Sequence, residues 1–421
     1  MKESLYNYYV PYKDTVALFN GITEKYILLP QDRVKIYKTI IGNPSAYVGK
    51  LDNFLHRLEE NGFIVDDRID EFESVKNKYE ILRQPNQYYL MILPTYQCNL
   101  RCWYCTQHHQ DMEITHQIIK RIKESVRHKL SSSDIKHFHL SWFGGEPILS
   151  FDILLDFTKF AKKLTKSLGI AFTSAITTNA TLLTESKIEE LKDVGVSHYQ
   201  ITIDGEPRTH DAIKALSNAS AFENTMKNIN LIAQHTSVTL RFNYTHKNLK
   251  PKEIIASINS YLSQKAKENI QLHLIKVWQE DQNKIPESKI EELIELAQAS
   301  GLKVNTIHNG MCYVDQIHFD CIFPNGKVGK CDNDNPDDVS GIIGNNGDIL
   351  YPHESTSDYN INLLENKLAS CYNCRYIPIC WGPCMAKKTS DLKKYSKIVC
   401  QYEDKEKEME AHIRNIIESK N

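Results

Sequence analysis

Cys98, Cys102 and Cys105 stand together in the run CNLRCWYC, and they are the residues of this chain best suited to chemistry. The other eight cysteines are Cys312, Cys321, Cys331, Cys371, Cys374, Cys380, Cys384 and Cys400, and none falls between residues 106 and 311. Three thiolates cannot complete the shell of a four-iron cluster, so one iron is left open for an outside ligand. A group of three and a group of eight point to one open cluster and two closed ones. Zinc is the alternative, with His108 or His109 as a fourth ligand for the first group and a pair of zinc sites for the second.

Composition sets the context for these thiols. Charged residues make up 25% of the 421-residue chain and apolar ones 41%, values expected of a soluble globular protein of two or three domains. The net charge of -2 supplies no basic field for nucleic acid. The opening MKESLYNYYVPYKD has no apolar core of a signal peptide, and no run is apolar enough for a membrane span. A cytoplasmic location is expected, where dense cysteines serve metals more often than disulfides.

The elements that must position the cysteines fall into three regions. Residues 1–80 read as short strands joined by turns such as Asn20-Gly21, two helices over 31–41 and 47–61, and a strand in GFIVDD after Gly62. That is a winged-helix-like pattern, followed by a charged link from Asp66 to Lys78. Residues 88–310 alternate strand and helix, with strands expected at 88–94, 138–143, 171–177, 198–203, 238–244 and 270–277. One helix shows Ile114, Ile118, Ile122, Val126 and Leu130 on a single face. Six β/α units predict an α/β fold, a parallel sheet or partial (β/α)6 barrel, with chemistry at the C-terminal ends of the strands. Residues 311–421 are rich in Gly, Asn, Asp, Pro and Cys, and metal clusters could supply cohesion that a small core cannot. A charged helix over 402–418 closes the chain.

CNLRCWYC resembles the CxxxCxxC signature of the radical S-adenosylmethionine (SAM) superfamily, including the aromatic Tyr104 before the last cysteine. Further motifs follow in order at expected strand ends. Gly144, Gly145, Glu146 and Pro147 match the family's GGEP, which receives the methionyl amino group. Thr178 and Asn179 follow the third strand. Thr202, with Asp204 two residues on, is similar to the S-x-D-G motif whose hydroxyl contacts the ribose. Where the family often carries an arginine for the SAM carboxylate, this chain has Lys214. The resemblance implies SAM cleavage by one electron from the cluster, a 5′-deoxyadenosyl radical and hydrogen abstraction from a substrate. It also implies a low-potential electron donor of the flavodoxin or ferredoxin type.

The spacing Cys371-x2-Cys374-x5-Cys380-x3-Cys384 with Cys400, and Cys312 followed by thirteen residues, Gly326, four residues and Cys331, resembles the SPASM extension of the same superfamily. By that resemblance Cys312, Cys321, Cys331 and Cys384 hold one auxiliary 4Fe-4S cluster, and Cys371, Cys374, Cys380 and Cys400 a second, for three 4Fe-4S clusters in all. Cys321 could instead be a spare thiol that leaves an iron open to substrate. Asp332 matches the aspartate that serves as base in related sulfatase-maturing enzymes. A solvated Asn/Asp turn with Asp334, Asp337 and Asp338 is the plain alternative.

The N-terminal module resembles the peptide-recognition element of peptide-maturing enzymes, which binds a leader peptide as an added strand. A DNA-binding winged helix is the competitor, but residues 1–90 hold 12 Lys+Arg against 13 Asp+Glu, which disfavours tracking phosphates. Tyr6, Tyr8, Tyr9 and Tyr12 could line a peptide groove or pack in the module's core. The combined expectation is a radical SAM/SPASM peptide maturase that joins residues of a ribosomally made precursor by a thioether or carbon-carbon bond. Formylglycine formation on a protein Cys or Ser is the nearest alternative, and a non-catalytic iron-sulfur carrier or scaffold the most distant. No membrane or nucleic-acid partner is expected.

Overall fold

The computed structural model describes residues 1–420 apart from 108, 133, 215–219, 278, 280–284, 306–310, 335–338, 340, 351–363, 366–368, 373 and 403. His108, Asp337 and Asp338 therefore lie outside the described residues. Two compact units form. One is Asn86–Ile307 with His318–Thr356, and the other is Met1–Pro85 with His308–Ile317 and Ser357–Asn421.

The larger unit is built on a parallel sheet. Its strands Gln87–Ile92, His137–Trp142, Ala171–Thr178, Val196–Ile203, Ser237–Tyr244 and Ile270–Lys276 lie side by side in chain order. A short seventh, Lys303–Asn305, pairs parallel with the sixth. The sheet is open, in keeping with a partial barrel. Successive side chains of a strand point to opposite faces. One set, including Leu90, Leu140, Ile176, Ile201, Leu240 and Leu272, is fully buried with helix residues such as Ile122, Phe157, Leu191 and Ile229. The opposite set is polar: His139 Nδ1 meets Thr173 Oγ1 at 2.8 Å, and His198 Nε2 meets Thr239 Oγ1 at 3.1 Å. Covered by helices on one face and polar on the other, the strands alternate although they are parallel.

The helices end as their sequences dictate. Thr184 caps Glu185–Val194 through its side chain, and Gly195 closes that helix at φ 100. The apolar face read from Ile122, Val126 and Leu130 lies on His116–Ser132. The cysteine-rich region contributes more regular structure than its composition implies. His318–Ile322 pairs parallel with Gln87–Ile92, and Lys327–Gly329, Gly341–Ile343 and Ile349–Leu350 continue as an antiparallel meander. Cys321 lies wholly buried on the first of these strands, opposite Met91.

In the other unit, Asn7–Tyr12, Thr15–Asn20 and Tyr26–Pro30 form an antiparallel sheet. Helices Val34–Gly42 and Asp52–Glu60 follow, and Ile64–Val65 pairs with Lys2–Glu3. The charged link is itself a helix, Glu71–Leu82, capped by Asp70 and buried through Val75 and Tyr79. Tyr6, Tyr8 and Tyr12 are buried rather than lining a groove, and pack with residues of the C-terminal segment. The closing helix Lys405–Lys420 lays Met409, Ile413 and Ile417 against Tyr8, Val10 and Phe19. Among the described residues no helix is long and apolar enough to cross a membrane.

Candidate active site

A cavity of about 220 Å³ opens at the C-terminal ends of the parallel strands. Cys98, Cys102 and Cys105 line it, together with Tyr104, Gly144, Gly145, Thr178, Asn179, Thr202, Lys214 and Asp332. The fold thus gathers residues more than 230 positions apart in sequence. Glu146, Pro147 and Asp204 stand behind this wall.

The cysteine loop and the GGEP loop are tied by their backbones. Gly145 N donates to Thr95 O at 3.0 Å, and Glu146 N to Gln97 O at 2.8 Å. A Cβ at Gly144 would meet Thr95 O at 2.5 Å, where φ is +110, and one at Gly145 would collide with the Gln97 carbonyl. Only glycine lets these loops approach, and their backbones are what the cavity sees.

Glu146 is fully buried and holds the next strand end. Its Oε1 accepts from Ile148 N at 3.0 Å and Thr178 Oγ1 at 2.7 Å, and its Oε2 accepts from Asn179 N at 2.8 Å. Burial raises its carboxyl above the usual range despite these donors. The Asn179 amide in turn reaches Cys98 Sγ at 3.8 Å and Asn99 Oδ1 at 2.9 Å.

Beneath the cysteines lies a second buried group. The Tyr104 hydroxyl donates to Asp204 Oδ1 at 2.5 Å, and Lys214 Nζ pairs with Asp204 Oδ2 at 2.9 Å. Burial alone would depress the Lys214 amine, but Asp204, Tyr104 and Cys102 carry it well above its ordinary value. Asp204 N donates to His210 Nδ1 at 3.1 Å, and Asn248 holds the Asp204 carbonyl at 2.9 Å. The lysine expected at the SAM carboxylate is therefore also the counter-ion of Asp204.

Asp332 reaches the cavity on the loop after Cys331. Its carbonyl accepts from the Gln107 amide at 3.2 Å, and Asn333 Oδ1 accepts from Thr106 Oγ1 at 2.9 Å. Cys321 and Cys331 belong to this same unit. Burial, then Asp332 and Cys331, push the Cys321 thiol well above its ordinary value. His109 lines the cavity as well.

In the other unit Cys371, Cys374, Cys380 and Cys400 line one smaller cavity of about 60 Å³, roofed by Tyr376 and Tyr402. Cys312 and Cys384 belong to that unit too, with Cys384 among the groups acting on Cys312. Burial pushes the thiols of Cys98, Cys312 and Cys371 up to about 11 and that of Cys380 up to about 12. Such thiols ligate only when a metal drives off their protons. All eleven cysteines are free of disulfides. The thiols of each group border open volume, and three or four thiolates around such a space are a donor set that fits an iron-sulfur cluster.

Sequence reasoning passed over Gln200, Arg241 and Asn243, which also line the main cavity. They carry no local motif. Alternation along the fourth and fifth strands, once Thr202 was placed on the inner face, is the signal that finds them.

Residues 92–260, which carry the cysteine loop and most of this cavity's wall, match the model of the Radical SAM superfamily. That class works with SAM and a 4Fe-4S cluster. The chain is 32% identical over 141 residues to GTP 3′,8-cyclase of Clostridium botulinum, spanning 34% of this chain and 42% of the relative. It is 26% identical over 157 residues to Fe-coproporphyrin III synthase of Methanosarcina barkeri, spanning 37% of each. The chain thus covers less than half the length of these curated relatives. Among solved structures, anSMEcpe with bound AdoMet and the Cp18Cys peptide superposes with a TM-score of 0.56 and 17% identity, over 80% of this chain and 99% of that one. Streptococcus suis SuiB bound to its precursor peptide SuiA gives 0.52 and 15%, over 96% and 99%. Both likenesses are of fold.

Proposed function

We propose that this radical SAM enzyme is a maturase of ribosomally made peptides, with a leader-recognition module over residues 1–80, a catalytic domain over 88–310 and a SPASM region over 311–421. The observation that carries this reading is the likeness of fold to SuiB, a protein crystallised with a precursor peptide, over 96% of this chain. Cys98, Cys102 and Cys105 would hold the open cluster. Cys371, Cys374, Cys380 and Cys400 would hold one auxiliary cluster, a grouping supported by their common cavity. Cys312, Cys321, Cys331 and Cys384 would hold the other.

When bound, SAM on the open cluster supplies a carbon radical that takes a hydrogen atom from substrate. The chain's own residues prepare the space for it. The Gly144 and Gly145 backbone would receive the methionyl amine, and Thr202 the ribose. Glu146 fixes Thr178 and Asn179, and the Tyr104–Asp204–Lys214 group sets the shape of the cysteine loop. Asp332, on the cavity wall, would accept a proton at its carboxylate from the substrate. The product is a thioether or carbon-carbon crosslink, formed with loss of one hydrogen atom to the radical, one proton to Asp332 and one electron, which an auxiliary cluster would take up.

Anaerobic co-expression with a leader-bearing precursor, read by fragmentation mass spectrometry, tests the reaction. A crosslinked fragment ladder supports it, and an aldehyde at a single Cys or Ser assigns formylglycine formation instead. Excess free leader peptide is expected to compete and lower turnover of the leader-bearing peptide, a test that leaves the core shared by residues 1–80 and the C-terminal segment intact. Unchanged turnover would remove the leader-recognition role.

A further inference from the structure

Arg241 stands on the fifth parallel strand, in register with Thr202 on the fourth and His273 on the sixth. It lines the cavity of the three cysteines. Its Nε donates to Asn243 Oδ1 at 2.8 Å, and among the described residues it makes no ion pair. Burial holds its guanidinium below the ordinary value, and the negative groups acting on it, Tyr104, Asp332 and Asp204, do not make up the difference. A guanidinium has five N–H donors. Half-buried on the cavity wall and only partly offset by those groups, it would gain from an anion brought to it. Its planar fork matches a carboxylate with two parallel hydrogen bonds.

The position of Arg241 separates it from the SAM residues. Those matched to SAM by resemblance follow the first four strands, from the cysteine loop to Thr202. Arg241 lies one strand beyond, with Asp332 across the same cavity. The cation matched to the SAM carboxylate, Lys214, is already paired with Asp204.

We propose that Arg241 is the recognition point for a carboxylate of the substrate, so that the segment entering the cavity presents an Asp, a Glu or a chain-terminal carboxylate. The peptide nature of that segment rests on the function proposed above. The carboxylate requirement rests on Arg241 alone.

Phenylglyoxal labelling of Arg241 in the reconstituted full-length holoenzyme, located by mass spectrometry, tests this without turnover. The probes are SAM alone, then SAM with N-acetylaspartate amide, with its asparagine counterpart, or with propionate. SAM alone should leave Arg241 reactive. The aspartate probe should slow labelling about tenfold, as a charge-assisted bidentate contact would, and the asparagine probe should do nothing. Arg241→Gln should bind SAM like the wild type in equilibrium dialysis. Should that variant lose its cluster, wild-type labelling still decides. Protection by SAM alone, or by none of the probes, overturns the proposal. Protection by propionate equal to that by the aspartate probe keeps the carboxylate site and counts against a peptide in it, which separates this inference from the reading beneath it.

Discussion

Lys214 and Asp204 form an ion pair of 2.9 Å in which neither side chain is more than 4% exposed. Removing one partner of such a pair strands a buried charge, and the loss is about 3–5 kcal/mol. Asp204→Asn and Lys214→Met should each lower stability by that order in denaturant titrations. An apolar double replacement, Asp204→Leu with Lys214→Met, should recover much of the loss. If the double variant is as unstable as the sum of the singles, the pair is not the coupled unit described here.

Gly145→Ala tests the contact between the cysteine loop and the GGEP loop. Its Cβ would collide with the Gln97 carbonyl, which is backbone and cannot swing aside. Overpacking of this kind costs about 1–3 kcal/mol. SAM affinity should fall by about tenfold or more as the loops separate. Calorimetric titration of SAM checks this, and wild-type affinity in the alanine variant would show that the two loops tolerate spreading.

His139, which does not line the cysteine cavity, gives the protein an acid sensitivity of its own. Burial, then His137 and His198, lower its pKa to about 4. The unfolded chain therefore binds more protons than the folded one between about 4 and 6.5. Stability from this group is complete above pH 6.5 and is lost as pH falls through that window, by about 2 kcal/mol at pH 5. Urea midpoints of the wild type and His139→Asn at pH 7 and pH 5 should reveal it, with the variant showing the smaller drop.

Arg375 binds the N-terminal sheet to the cysteine-rich segment. Its guanidinium lies 5.2 Å from the Tyr8 ring and 5.4 Å from the Tyr376 ring, and donates to Asn7 O at 2.8 Å. The Tyr8 hydroxyl donates back to the Arg375 carbonyl. Arg375→Ala should cost about 1–2 kcal/mol and speed limited proteolysis within residues 1–85. Unaltered proteolysis would mean that the aromatic stack holds without its cation.

Much of this site was legible from the sequence because its motifs are local. CNLRCWYC, GGEP and the Thr202–Asp204 stretch each sit at the end of a strand visible by its alternation, so the fold had only to bring strand ends together. Lys214 was found by its distance from Asp204, but its ion pair was not, because a partner ten residues away is invisible without the turn between them. Arg241 was missed because nothing in its neighbours in sequence marks it. The helix Glu71–Leu82 read as a charged link because its apolar residues that face packing partners are few: Val75, Tyr79 and the half-buried Phe72 and Leu82. The strand His318–Ile322 went unseen because its apolar character is brief and its partner lies 230 residues upstream.

That last pairing has a consequence for how the protein is made. The edge of Gln87–Ile92 is open until residue 322 has been synthesised, since His318–Ile322 is the strand that covers it. A nascent chain paused on the ribosome after the sixth strand would present an unpaired, apolar sheet edge to its surroundings. Slow decoding between the two strands should therefore raise chaperone dependence and misassembly in a way that the stability of the finished molecule does not report.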